Sequence, residues 1–399
     1  MNRIDELIAK HCPKGVAYKA FGDIGTITRG KRFVKSDIVE VGTPCMHYGE
    51  LYTKYRTWAI KTYSYLEPEL ASRLRLARPG DVIIVSAGET IEDIGKSVAW
   101  LGGENVVIHD ALYAFSSPLD PMYVVYFTQT DNFHDQIRRY ISSAKISAVS
   151  TKNLGKIRIP TPPLEVQREI VKILDTFTKL EAELEAELEA RKKQYEYYYS
   201  ELLQVDQTVQ QEVLSKVVEF RNGKGHEKQI DVNGEYVVVN SKFISTSGKV
   251  RKYSATQIAP VFKDDILMVM SDLPSGKALA KCFYVDNDNK YTLNQRICAL
   301  SIRDTHEINP KYFYYVLNRN RQLLQYDNGV DQTNLRKGDI LKILIPTPPL
   351  AEQIRIVTIL DKFDALVNDL TSGLPAEIKA RRQQYEYYRD RLLSFKEAA

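Results

Sequence analysis

The chain has 399 residues, room for about two to four domains with well-buried cores. With 44% hydrophobic and 27% charged residues it is neither disordered nor fibrous, and a formal net charge of +4 is too small to announce a nucleic-acid binder by itself. Four cysteines (Cys12, Cys45, Cys282, Cys298) show no paired spacing, which argues against a disulfide framework or a zinc site and fits a reducing cytosol.

The first residues lack the basic and apolar regions of a signal peptide, and no apolar run approaches the ~20 residues needed to cross a bilayer. A cytoplasmic protein with no membrane association is expected. The first 160 residues read as a mixed globular segment, with short β-rich runs such as Gly80-Asp81-Val82-Ile83-Ile84 bounded by turn residues. At Ile159-Pro160-Thr161-Pro162-Pro163-Leu164 the pattern changes. Proline is tolerated in a first helical turn but not in a helix interior, so a helix starts here. The apolar positions Ile170, Ile173, Phe177, Leu180 and Leu184 step by three or four, and Leu188, Tyr195, Tyr198 and Leu202 continue the stripe. No Gly or Pro interrupts residues 164–203, so a rod of roughly 60 Å is predicted, which needs a partner along its stripe.

The same block returns. Ile345-Pro346-Thr347-Pro348-Pro349-Leu350 repeats the helix start, and Gln353, Ile356, Val357, Ile359-Leu360-Asp361 and Phe363 repeat Gln167, Ile170, Val171, Ile173-Leu174-Asp175 and Phe177. Farther on, Gln194-Tyr195-Glu196-Tyr197-Tyr198 returns as Gln384-Tyr385-Glu386-Tyr387-Tyr388. The second copy holds four extra residues between these landmarks, around Thr371-Ser372-Gly373-Leu374-Pro375, where a break or kink is predicted. Fainter matches join the globular segments: Phe21–Lys31 with Leu214–Lys224, Gly80–Ile84 with Asp264–Met268, and Ser147–Ile157 with Thr333–Ile343. The chain is therefore a tandem duplication of the α/β (α+β) class. It has two similar globular domains, 1–160 and 205–346, and two long helices, 161–204 and 347–399. Antiparallel packing of the helices as a coiled coil, with intramolecular pseudo-two-fold symmetry, is the simplest arrangement.

Charge separates along this plan. Residues 1–163 hold 21 Lys and Arg against 17 Asp and Glu, residues 205–349 hold 20 against 16, and the first helix holds 6 against 10. The basic residues gather in turn-like stretches with Gly, Ser, Asn and Tyr. In the first domain the candidate DNA contacts are Arg29, Lys31, Arg32, Lys35, Tyr48, Lys54, Arg56, Ser143 and Lys145. In the second they are Arg221, Lys224, Ser241, Lys242, Lys249, Arg251, Lys252, Lys277, Arg296, Gln332 and Asn334. Lys and Arg neutralise phosphates, and Arg, Asn, Gln and Ser can read base edges. Taken singly, each is more often a solvated loop residue than a DNA contact; the case rests on the two sets.

Catalytic and metal motifs are missing. Gly25–Lys31 has P-loop spacing, but Arg32 replaces the Ser or Thr that would hold magnesium, and a basic turn accounts for it. Thr161-Pro162-Pro163-Leu164 lacks both the amide and the aromatic of an amino-methyltransferase motif, and the six histidines form no cluster. In the tyrosine blocks, Tyr195, Tyr198, Tyr385 and Tyr388 read as packing positions, while Tyr197 and Tyr387 fall on another face and suit partner docking.

This order of variable basic domain, Pro-Pro-Leu-x-x-Gln helix with a Tyr-rich end, second variable domain and second such helix resembles the specificity subunits of Type I restriction–modification enzymes. The resemblance covers essentially the whole chain. It implies two target recognition domains, each reading one half of a split double-stranded DNA target, with the helices fixing the gap. It further implies two modification subunits docked on the helices and, for restriction, motor-nuclease subunits. Catalysis, with S-adenosylmethionine, ATP and Mg, would belong to those partners, leaving this chain non-catalytic and without a cofactor. The near-tandem Leu-Glu-Ala-Glu run at 180–190 reads either as a length-setting unit, ~6 Å each, or simply as good helix former. A coiled-coil scaffold with non-specific DNA binding is the alternative reading of the whole chain.

Overall fold

Lacking any internal Gly or Pro, residues Leu164–Leu203 form one helix of 40 residues, as predicted. Its counterpart is two helices, Leu350–Asn368 and Leu374–Leu392. The break is built by Asp369, whose carboxylate accepts the Ser372 hydroxyl (2.5 Å), the Thr371 hydroxyl (2.6 Å) and the Thr371 N–H (2.7 Å), bonds that hold its pKa down at about 2. A side chain at Gly373 would overlap the Ala365 carbonyl, so the chain turns tightly there.

A computed structural model describes residues 2–143, 147–204, 209–226, 228–274 and 276–398. The chain divides into two units, Met1–Ala186 with Ala376–Ala399, and Glu187–Pro375. Each unit thus combines one globular domain with helix from both copies of the repeat.

In the first unit, a five-stranded sheet runs in the order Thr26–Arg29, Leu112–Ser116, Val82–Val85, Ser97–Trp100, Trp58–Ala59, antiparallel except for the last pair. A second five-stranded sheet carries Thr43–Met46 and Val106–Ile108 side by side. Behind the first sheet lies the helix Pro121–Thr128, buried on nearly every side, with Asp120 capping it by accepting the Met122 and Tyr123 N–H groups. Val166, Ile170 and Leu174 of the long helix complete this core. The C-terminal helix pairs with the long helix in antiparallel fashion: Phe177 lies 5.6 Å from Tyr388 and 6.5 Å from Tyr385, and Arg382, earlier in its helix, meets Glu181 and Glu185, later in theirs.

The second unit has a four-stranded antiparallel sheet in the order Val218–Asn222, Ile297–Ile302, Ile266–Val269, Cys282–Tyr284, and a three-stranded sheet around Tyr236–Val239. Its buried helix Pro310–Leu317 is capped by Asn309, which accepts the Lys311 and Tyr312 N–H groups. Ile356 and Leu360 close the core, and Tyr195 and Tyr198 stack on Phe363 at 6.2 and 5.4 Å.

The duplicated Gln and Asp have the same job in both units. Buried Gln167 accepts the Asp120 N–H (2.9 Å) and donates to the Pro162 carbonyl (2.7 Å). Gln353 accepts the Asn309 N–H (2.9 Å) and donates to the carbonyls of Pro348 (2.7 Å) and Glu307 (3.0 Å). The Tyr126 hydroxyl donates to Asp175, and that of Tyr315 to Asp361, each at 2.5 Å. These bonds fasten the globular domain of each unit to the start of its helix.

Candidate nucleic-acid interface

In the first unit the strand Thr26–Arg29 ends at Gly30, whose N–H donates to the Leu112 carbonyl (3.0 Å). A side chain at Gly30 would overlap the carbonyl oxygens of Ile108 and His109, so only glycine lets the chain turn here. The second unit repeats this at Gly223, which bonds the Ile297 carbonyl (3.1 Å) and lies against the carbonyls of Leu293 and Asn294. Lys31 and Lys224 are thereby presented at equivalent turns. The P-loop-like spacing of Gly25–Lys31 is a strand and its turn, followed only by the single 3-10 turn Lys35–Asp37 and not by an α-helix.

Other candidate segments converge on these turns through the backbone. In the first unit the His109 N–H donates to the Met46 carbonyl (3.2 Å), which brings His47 and Tyr48 alongside. The Ser86 N–H donates to the Ala111 carbonyl (2.8 Å), and Ala87–Gly88 pairs with Ser147–Ala148, itself paired with Ser142–Ser143. In the second unit Lys224 bridges Asn294, whose N–H donates to the Val239 carbonyl (3.1 Å) beside Asn240, Ser241 and Lys242. The Met270 N–H donates to the Arg296 carbonyl (3.0 Å), Ser271–Asp272 pairs with Thr333–Asn334, and the Gln332 amide donates to the Ser271 hydroxyl (2.7 Å). Lys249, Arg251 and Lys252 follow the helix Ser241–Ser245, with the Lys252 carbonyl accepting the Val238 N–H (2.8 Å).

Side-chain bonding sorts the candidates. Arg32, Lys35, Lys224, Lys242, Lys249, Lys252, Lys277 and Arg296 are exposed and form no ion pair among the described residues. Arg29 donates to the Asp110 carbonyl, Lys31 to that of Arg73 and Arg251 to that of Gly248, so each is partly engaged. Arg221 is not among the turn residues: it is bonded to Asp265, Ser301 and the Pro260 carbonyl and lies over the Phe262 ring, a structural duty that explains its presence. Lys54 pairs with Glu50 (3.1 Å), and Arg56 is held against the long helix by Glu185 (2.7 Å). Ser143 lies on its paired strand, and Lys145 falls outside the described residues. Tyr197 and Tyr387 are 60% and 59% exposed, each edge-on to its neighbouring tyrosine.

One feature carried no sequence signal beyond scattered histidines. His47 and His109 lie 4.6 Å apart between Phe33 and Tyr48. Burial lowers both pKa values; for His109 the Asp110 carboxylate opposes the shift, and for His47 the neighbouring His109 adds to it. The His109 Nδ1 lies 3.2 Å from the Ala111 N–H and 3.1 Å from the Asp110 carboxylate, one contact suited to the neutral ring and the other to the charged one.

The family model described as the Type I restriction modification DNA specificity domain matches the chain twice, over residues 13–190 and 208–380. The specificity subunit of the Escherichia coli restriction enzyme EcoR124I/EcoR124II is 34% identical over 278 residues, covering 62% of this chain and 65% of that subunit. A putative type I specificity subunit of Haemophilus influenzae is 34% identical over 274 residues, 64% of this chain and 68% of its own length. Among solved structures, the Type I restriction–modification S subunit of M. genitalium shares the fold at 14% identity and a TM-score of 0.53, covering 95% of this chain and 96% of its own. A chain from a type I system described in terms of complex assembly and conformational transition matches at 15% identity with a TM-score of 0.61, covering 96% and 98%.

Proposed function

We propose, for a chain that belongs to the Type I restriction–modification DNA-specificity family and carries two copies of its domain, that it acts as the DNA-sequence specificity subunit of such a complex. Each unit reads one half of a bipartite duplex target through the turns gathered beside Gly30 or Gly223. The observation that carries this reading is the duplicated edge: the same Gly-Lys turn and the same supporting backbone bonds, furnished with different side chains. Free cations such as Arg32, Lys35, Lys242 and Arg296 neutralise phosphates, while Tyr48, Ser241, Gln332 and Asn334 have the chemistry to read bases.

The chain is the non-catalytic partner in this scheme. Two modification subunits, bearing S-adenosylmethionine, dock on the helices through faces that include Tyr197 and Tyr387. Motor-nuclease subunits using ATP and Mg add restriction, and the complex works on DNA in the cytoplasm. The segment boundaries at 160 and 346 follow from the helix-start blocks, and the one at 204 from the Leu202-Leu203 that closes the first tyrosine-rich helix. Family membership favours this reading over a scaffold with sequence-indifferent binding. The test is to express the chain with its modification subunits and map methylated adenines across a genome. A bipartite motif with a fixed gap is expected; methylation without sequence preference would refute the proposal.

A further inference from the structure

Resting on that reading, we propose that Leu273 is an apolar wedge that enters the stacked bases of the half-site read by the second unit. Leu273 is 69% exposed, at the end of the strand pair formed by Ser271–Asp272 and Thr333–Asn334. A large aliphatic side chain so placed has no folding role, and its position is fixed. Asp272 uses one carboxylate oxygen on the Leu273 N–H (2.9 Å) and the other on the N–H groups of Ala278 (2.7 Å) and Leu279 (3.1 Å). The Gly276 N–H returns to the Leu273 carbonyl (2.9 Å), and Pro274 restricts Leu273 to extended backbone. The wedge is thus held out with little conformational freedom left to lose on binding.

Its surroundings favour DNA as the occupant. Antiparallel register sets Leu273 opposite Gln332, which is bonded to Ser271, and Arg296 is tied to the same edge through Met270. Lys277 is exposed nearby, and the one acid of the turn, Asp272, is occupied by backbone N–H groups. An aliphatic side chain among cations and amides is the composition that proteins use to part a base step and kink a duplex. Val330, 75% exposed, extends from the other strand of the pair, but Asp327 and Asp331 flank it and make it the poorer choice. The equivalent turn of the first unit carries no such wedge: after Ala87–Gly88 it holds Glu89, Glu92 and Asp93, charges that phosphates repel, around a less exposed Ile91. The distortion should therefore be one-sided.

The experiment uses the full chain with its modification subunits and duplexes of the mapped target carrying 2-aminopurine at successive positions. In wild type, fluorescence should rise several-fold at one step of the second unit's half-site and remain flat in the other. L273A should lose at least half of that rise while binding within about tenfold of wild type, since the lost contact is offset by stacking that is no longer broken. L273M should restore the signal, and I91A should change nothing. An unchanged signal in L273A, or failure of L273D to co-purify with the modification subunits, would overturn the wedge and, in the second case, assign Leu273 to a protein contact. Absence of sequence-specific binding by the wild-type complex would instead overturn the proposed function, so the two failures are separable.

Discussion

The two units are built on one plan and diverge where they meet solvent at the Gly-Lys edge. What they share is attachment: Gln167 and Gln353 bridge a helix cap to a proline carbonyl, Tyr126 and Tyr315 bond Asp175 and Asp361, and Gly30 and Gly223 make the same close turn. What they do not share is the furnishing of the edge. The first packs Phe33, His47, Tyr48 and His109 together where the second has Asn240, Ser241, Lys242 and Asn294, and the second presents Leu273 where the first turns at Glu89. The difference teaches that duplication preserves the residues that hold a domain on its helix and frees those on the exposed edge.

That division of labour can be tested from its strongest bonds downward. Replacing a buried amide strands its partners, so Gln353→Ala should cost about 2–4 kcal/mol in urea unfolding of the second unit. Gln167→Ala should cost slightly less in the first, having one fewer carbonyl to satisfy. Losses under about 1 kcal/mol in both would show that the attachment lies elsewhere. Tyr126→Phe and Tyr315→Phe keep the ring and remove only the hydroxyl bond, so each should cost about 1–2 kcal/mol, and by similar amounts in the two units.

A pH series separates the units. His47 and His109 have folded-state pKa values below the unfolded value of about 6.5, so the unfolded chain binds protons first as the pH falls. Their contribution is present above pH ~6.5 and is lost as the pH drops through the lowered folded-state values. The unfolding transition of the first unit should weaken from pH 7 toward 5, and H47N/H109N should reduce that slope, leaving the part due to His134, whose pKa burial also lowers. The smallest stability effect belongs to the exposed tyrosines. Tyr197→Ala and Tyr387→Ala should shift stability by no more than about 0.5 kcal/mol, yet reduce co-purification with modification subunits if those faces dock them.

Much of this plan was legible in the sequence because a repeat exposes itself. The helix starts, the continuous helix at 164–203 and the break near 371–375 all followed from Pro, Gly and apolar spacing. The buried helices at 121–128 and 310–317 were missed, although a signal existed. Asp120-Pro121 and Asn309-Pro310 are each a cap followed by proline, and Tyr123 and Tyr126 recur as Tyr312 and Tyr315. Composition could not show that Arg221 and Arg56 are spent on Asp265 and Glu185, since a bonded and a free arginine read alike. Nor could it place Leu273 outside the core, because exposure of one leucine is decided by tertiary register.

The central claim, that each unit reads its own half of the target, is tested most directly by domain exchange. Residues 205–349 would be replaced by the equivalent segment of another family member, and adenine methylation mapped in cells expressing the chimera with its modification subunits. The account predicts that one half of the bipartite motif changes while the other half and the gap stay fixed. Change in both halves, or in neither, would contradict it.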